Sequence, residues 1–593
     1  MASDSQTRIY EFGPFRIDPD RYLLLRDGKT VPLSPKVFET LIFLIEHRGN
    51  VVKKDDIMSR VWPDTFVEES NLAQNIFLLR KALGEEKTEH RYIITIPGVG
   101  YRFVAPMVES SNHSPQELPA PQPSITVDAV HSIAVLPFKN LVRDSSDEFL
   151  GPGIADALIM RLSNIRRLQV RPTTAVLKYS DSIHDALLIG RELSVDALLD
   201  GVYQRIGEQI RVSVQLVSVT NGLTLWATKF DENFTNIFAI QDSISEQVVR
   251  SLALKLSGDE QRQLAKSYTD NPEAFQIYIK GRYFWNQRTI EGIRKGLDYA
   301  QQAIALDPTY APAYVGLADS YNLLGGQHSV LPPRESFPKA RAAVLRALEI
   351  DERLAEAYAS LAFINWCFEW DYAAAEQNYL KAIALKPNYP TAHHWYGELL
   401  ITAGRFEEGL VQLQMAQELD PLSLAINADL AAAFYYARRY DRSENQLENL
   451  LDLNPNFIRA RVILAKVWEE KREFSKALEM MRSAVELSGD EAVTISAVAH
   501  TLAVAGQPRA ANKILEELQR ATKHQYVSAA NVAAVYVALD QKELAFEWLE
   551  RAFENQDIYL IWLKVNPVFD PLRSDPRFAK LLKRVSPVLV DEE

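Results

Sequence analysis

The sequence predicts a multidomain α+β protein, and three observations lead there. An apolar stripe at helical spacing, with shorter helices before it and a hairpin after it, marks an N-terminal domain. Strand and helix patterns alternate through the middle of the chain. A motif then recurs every 34 residues toward the end. The 593 residues suffice for three or four domains. The boundaries read as 1–106, a linker at 107–130, a mixed α/β domain at 131–257, and an all-α repeat array at 258–586.

The N-terminal stripe is Leu72, Ile76, Leu79 and Leu83, at steps of four, three and four. That is one buried face of an α-helix. At roughly 100° per residue the opposite side carries Ser70, Asn71, Gln74, Phe77, Leu78 and Lys81. Amides pair bidentately with adenine, lysine reaches guanine or phosphate, and apolar carbons meet a thymine methyl. The plainer reading is an amphipathic helix with a solvated face.

The flanks favour the reading helix. Ser34 and Pro35 suit the N-cap and first turn of a helix that runs to about His47, and Gly49-Asn50 stops it. A second helix, Lys54 to Val61, ends at Trp62-Pro63. Downstream, 92–96 and 101–104 are short strands around Pro97-Gly98-Val99-Gly100, which makes a hairpin. Three helices and a hairpin describe a winged helix-turn-helix.

Five motifs sharpen this: Leu33-Ser34-Pro35-Lys36, Val51-Val52-Lys53-Lys54, Val61-Trp62-Pro63, Leu79-Arg80-Lys81-Ala82-Leu83 and Gly98-Val99-Gly100-Tyr101-Arg102-Phe103. In this order the segment resembles the OmpR/PhoB-type effector domain, in the variant of CadC-like regulators. The resemblance implies an opening four-stranded antiparallel sheet, which 9–12, 15–17, 22–25 and 29–31 fit, with Asp27-Gly28 as a hairpin turn. It places Ser70, Gln74, Asn75 and Leu78 in the major groove, and Arg80, Thr95 and Tyr101 on the phosphate backbone. Asn71, Lys81, Lys53 and Lys54 complete the candidate DNA-binding set. Response regulators of this type often carry arginine where this chain has Ser70, Leu78 and Pro97. Base readout is therefore expected to lean on amides and apolar contacts.

Charge bears on affinity. The chain carries a net −13, yet 1–106 holds 15 Lys+Arg against 15 Asp+Glu. A neutral head gains little from counterion release, so paired sites or a homodimer on DNA are expected. The single cysteine, Cys367, excludes an intrachain disulfide and reads as core packing. No apolar run approaches the ~18 residues that span a bilayer, and a cytoplasmic location without membrane contact is expected.

The linker, 107–130, is rich in Pro, Ser and acid and reads as flexible. The middle domain follows the order β-α-β-α-β-β-β-α: a strand at 132–138, a helix at 149–165, a strand at 168–170, a helix at 185–193, strands at 196–204, 209–218 and 223–230, and a helix at 237–256. This is a mixed sheet with helices packed on it. The runs at 132–141, 149–154, 199–201, 225–227 and 237–242 resemble the TolB-N-like module that accompanies tetratricopeptide arrays. Gly151-Pro152-Gly153 precedes a helix, but no complete phosphate-binding motif surrounds it.

In the array, Leu306, Ile350, Leu385, Leu419, Leu453 and Leu487 recur at steps of 44, 35, 34, 34 and 34. A period of 34 is the tetratricopeptide (TPR) signature. Residues 570–585 resemble the cap of such arrays. A TPR solenoid offers a groove to a protein or peptide partner. Trp285, Tyr321, Trp366, Trp370, Trp395, Tyr435 and Tyr436 are candidates for lining it, although packing between helices explains most of them. His393 and His394 diverge by about 100° and do not share a metal. No cofactor, metal site or catalytic set is expected. The chain reads as a sequence-specific transcriptional regulator. The alternative is a TPR scaffold with a vestigial or nonspecific head.

Overall fold

A computed structural model describes residues 8–586 apart from 20–22, 27–28, 32, 34, 62–71, 73–74, 77–78, 81, 86–90, 97–98, 112–129, 142–148, 181–185, 234–236, 253, 255, 267, 327–329 and 490. The chain divides into two compact units, one up to Asp128 and one from Ala129 onward, with Asn221–Leu223 grouped with the first.

In the first unit, β1 (Arg8–Phe12), β2 (Phe15–Asp18), β3 (Leu23–Arg26) and β4 (Lys29–Thr30) form the expected antiparallel meander. A fifth strand, β8 (Val108–Ser111), pairs antiparallel with β1, Arg8 opposite Ser111. The first domain therefore extends past 106, and the start of the expected linker is part of its sheet. Next come α1 (Pro35–Glu46), the short β5 (Val52–Lys53), α2 (Lys54–Val61) and α3, whose described positions fall within 72–83. The hairpin β6 (Ile93–Ile96) and β7 (Gly100–Phe103) joins β5 in a three-stranded sheet, order β5-β7-β6. The α3 stripe fills the core as its spacing requires: Leu72, Ile76, Leu79 and Leu83 are all buried with Leu41, Leu44 and Phe103.

In the second unit, β9 (Ser132–Val135) sits between β11 (Gln169–Val170) and β12 (Ala197–Ile206), parallel to both, and the two-residue β10 (Lys139–Asn140) also pairs parallel with β12. The strands β13 (Gln209–Ser218) and β14 (Thr224–Asn233) continue the sheet antiparallel. Ile210, Val212, Val214 and Leu216 alternate inward along β13, the period of two that a one-sided sheet needs. Helix α4 (Leu150–Leu162) is buried almost all round. Its glycines are there for close approach. A Cβ on Gly151 would lie 1.9 Å from the Phe138 carbonyl oxygen, and one on Gly153 2.6 Å from Ile279. A short helical turn over 173–179, α5 (Thr173–Val176) and its 3₁₀ continuation, was not expected from the sequence. The helices α6 (Ala186–Glu192), α7 (Ile237–Ser251) and α8 (Gly258–Leu264) complete this part.

Eight antiparallel helix pairs follow among the described residues, α9 (Pro272–Asn286) with α10 (Ile290–Leu306) through to α23 (Ala529–Ala538) with α24 (Lys542–Glu554). Small residues set the spacing within a pair. Between α15 (Pro390–Thr402) and α16 (Phe406–Leu419), Gly397 and Gly409 each lie against the other's carbonyl oxygen, at 3.0 and 2.9 Å for a notional Cβ. Two 3₁₀ turns, Ile558–Trp562 and Pro567–Leu572, and helix α25 (Pro576–Val585) end the array.

The α/β part and the array pack as one body. Arg171 donates to the carbonyls of Glu418 (2.7 Å) and Leu419 (3.0 Å) at the end of α16, and Thr174 to Asp420 (3.0 Å). Arg282 of α9 pairs with buried Asp156 of α4 (3.1 Å). The C-terminal turns fold back on the middle of the array. Trp562 stacks on Tyr436 at 4.4 Å, Lys564 donates to the Ala403 carbonyl, and Arg438 donates to the Val565 carbonyl and to Asp570.

Candidate nucleic-acid interface

The end of α3 is fixed by its own backbone. Gly84 takes φ +67°, and the Glu85 N–H closes back on the Arg80 carbonyl at 2.8 Å. That is a Schellman-type stop, for which glycine is suited. It turns Glu85 inward. Its carboxylate, 6 % exposed, accepts the backbone N–H of Tyr92 (2.9 Å) and of Ile93 (3.3 Å) at the start of the wing. Arg80 spans the same gap from the helix side, donating to the Ile93 carbonyl and to the Thr95 hydroxyl, both at 2.9 Å. Helix and wing are thus held in one register by two charged side chains.

The wing is anchored at its tip and base. The Lys54 N–H donates to the Val99 carbonyl at 3.2 Å, and the Gly49 N–H to the Phe103 carbonyl at 3.0 Å. Gly100 passes so close to β5 that a Cβ would lie 1.9 Å from the Val52 oxygen. Only glycine fits there.

Of the sequence-named residues, Lys53 and Thr95 are exposed, and Lys54 and Arg80 are half-buried. Tyr101 is buried between Val52 and Thr95 in the sheet, so its ring belongs to the core. Asn75 departs from its expected place in the groove. It is buried, and its amide donates to Thr40 of α1 at 3.2 Å. The helical wheel explains this: Asn75 lies about 60° from Leu72, on the shoulder of the apolar stripe. Ser70, Asn71, Gln74, Leu78 and Lys81 lie outside the described residues, as does the Pro97-Gly98 turn. Glu85 was missed by sequence reasoning. Its signal was an acidic residue directly after a glycine at the end of the stripe.

The second unit contains a large, partly open cavity of about 1340 Å³. It is bounded by α4 and the 173–179 turn on one side, and by the first helices of successive repeats and the C-terminal turns on the others. Trp285, Trp366, Trp395 and Tyr436 contribute to its wall, whereas Tyr321, Trp370 and Tyr435 do not. Burial pushes the Asp319 and Asp420 carboxyls up to about 6.

Comparison with known proteins agrees with this architecture. Residues 28–103 match the family described as transcriptional regulatory protein, C terminal, and 129–247 match the second domain of HilA/YgeH-like transcriptional regulators. This is the domain layout of a winged-helix transcriptional regulator. The regulator is 27% identical over 480 residues to transcriptional regulator HilA of Salmonella typhimurium, covering 80% of this chain and 82% of that protein. It is 30% identical over 200 residues to putative adenylate cyclase 3 of Rhizobium meliloti, 34% of each chain. The solved DNA-binding domain of Escherichia coli CadC is 27% identical, with 18% of this chain covering all of that one at a TM-score of 0.17. No described helix of the regulator is long and apolar enough to cross a membrane.

Proposed function

We infer that the regulator binds promoter DNA in a sequence-specific way through the outward side of α3, while the second unit receives a signal or a partner. The observation that carries this is the brace of Arg80 and Glu85 between α3 and the wing. A helix braced against a hairpin, with its apolar stripe spent on the core, suits the presentation of its other side to a groove. On the helical wheel Gln74 and Lys81 fall at the centre of that side, Gln74 to read a base and Lys81 to meet phosphate. Lys53 and Thr95 flank it and meet phosphates. The neutral charge of 1–106 makes one head weak, so two chains occupying a repeated site is the arrangement we favour. The TPR-like array takes a protein or peptide, the location is cytoplasmic, and the chain catalyses no reaction.

The second reading, a scaffold whose head reads nothing, draws on that zero charge and on the inward turn of Asn75. Gel shifts of the full chain on its own upstream DNA separate the two. Binding that survives excess nonspecific competitor supports the regulator, and binding that ignores sequence supports the scaffold. Sedimentation of the same complex tests pairing: one chain saturating one half-site at high affinity refutes it.

A further inference from the structure

Inside the array, three side chains from two neighbouring repeats converge. His394 and Glu398 lie one turn apart on α15, and Asp429 comes from α17 (Leu424–Tyr436), the first helix of the next repeat. Their donor atoms all lie within 4.8 Å of one another. The His394 Nε2 is 2.8 Å from Asp429 Oδ2 and 3.8 Å from Glu398 Oε2. The side chains are 10 %, 12 % and 3 % exposed, and all three line the large cavity.

The orientation of the carboxylates is informative. Arg459, from the first helix of the following repeat, pairs with Asp429 through Oδ1 and approaches Glu398 through Oε1 at 4.0 Å. It thereby faces the outer oxygen of each carboxylate and leaves the inner oxygens, Oδ2 and Oε2, turned to the imidazole. Two carboxylates share one guanidinium, and among the described residues Glu398 accepts no hydrogen bond.

We propose that His394, Glu398 and Asp429 bind a divalent transition-metal ion of the zinc class, with Arg459 as the outer partner that orients both carboxylates. Zinc holds imidazole nitrogen and carboxylate oxygen at about 2.0–2.2 Å, which in a tetrahedron separates the donors by about 3.3 Å. The present separations of 2.8 and 3.8 Å bracket that value, each within half an ångström. A second charged residue fixing ligand orientation is what such sites commonly have. One imidazole and two carboxylates leave a fourth position open, and it faces the cavity. The ion would tie α15 to α17 and so fix the pitch of the array where the C-terminal turns pack against it. Local spacing hid the site, because the third ligand comes from the next repeat.

The test uses the full chain, stripped with chelator, dialysed against zinc chloride and analysed for metal content and melting temperature. The proposal expects one zinc retained per chain and a higher melting temperature with zinc. Glu398→Gln, which removes the charge of a carboxylate that accepts no hydrogen bond among the described residues, is expected to fold, and its melting temperature without zinc is the baseline for the variant. It should lose both the retained zinc and the rise. His394→Ala should lose them too, and if it does not fold Glu398→Gln decides alone. The only cysteine, Cys367, is buried and does not compete. No zinc retained by the unsubstituted chain, or equal retention by Glu398→Gln, overturns the proposal.

Discussion

Asn75 of α3 donates its side-chain amide to the hydroxyl of Thr40 on α1, 3.2 Å away and shielded from solvent. The contact pins the reading helix to the first helix of the domain. Asn75 therefore acts on the placement of α3. Asn75→Ala is expected to lower the stability of the N-terminal domain by about 1 kcal/mol, the net worth of one such bond. Thermal melts measure this. The preferred DNA sequence, determined by selection from a random pool, is expected to stay the same.

Gln74→Ala and Lys81→Ala probe the outward side. Gln74→Ala should weaken binding to the preferred site by about 1–3 kcal/mol and relax preference at one base pair. Lys81→Ala should weaken all sequences alike and flatten the salt dependence. Competition gel shifts at two salt concentrations measure both. If neither variant changes affinity, the assignment of the outward side is wrong.

Glu85→Ala tests the brace. It leaves the buried N–H groups of Tyr92 and Ile93 without their carboxylate. The cost should be about 1–3 kcal/mol of domain stability. Hydrogen exchange should show the wing strands opening before α3. Unchanged protection in 92–96 would show that the hairpin is held by other contacts.

Asp319 gives a pH dependence. The Ser360 hydroxyl donates to its carboxylate, but burial outweighs this and pushes its pKa from 3.8 up to about 6. A carboxyl raised on folding contributes stability that is full below pH ~4 and is lost as pH rises through 6. Asp319→Asn removes that term. Relative to the variant, the unsubstituted second unit should lose melting temperature between pH 4 and 7. Parallel melting curves across that window would contradict this.

Much of the fold was legible because it follows from local periodicity. The four-residue stripe Leu72 to Leu83, the extent of α2 from Lys54 to Val61, and the 34-residue recurrence each depend on residues close in sequence. What the sequence hid is non-local. The strand Val108–Ser111 has no strand pattern of its own and exists because β1 offers it an edge. Arg171 and Thr174 bond to carbonyl and carboxylate groups almost 250 residues away, so nothing in their neighbourhood marked them. Within the candidate site the face of α3 was read from its wheel, while the role given to Asn75 came from resemblance alone and conflicted with that wheel.

The central claim is that the outward side of α3 reads a duplex. Genome-wide occupancy mapping of the full chain beside its Gln74→Ala variant tests it most directly. The account predicts discrete promoter peaks sharing a repeated motif, reduced or lost in the variant. Diffuse occupancy without a motif, or peaks unchanged by Gln74→Ala, would contradict it.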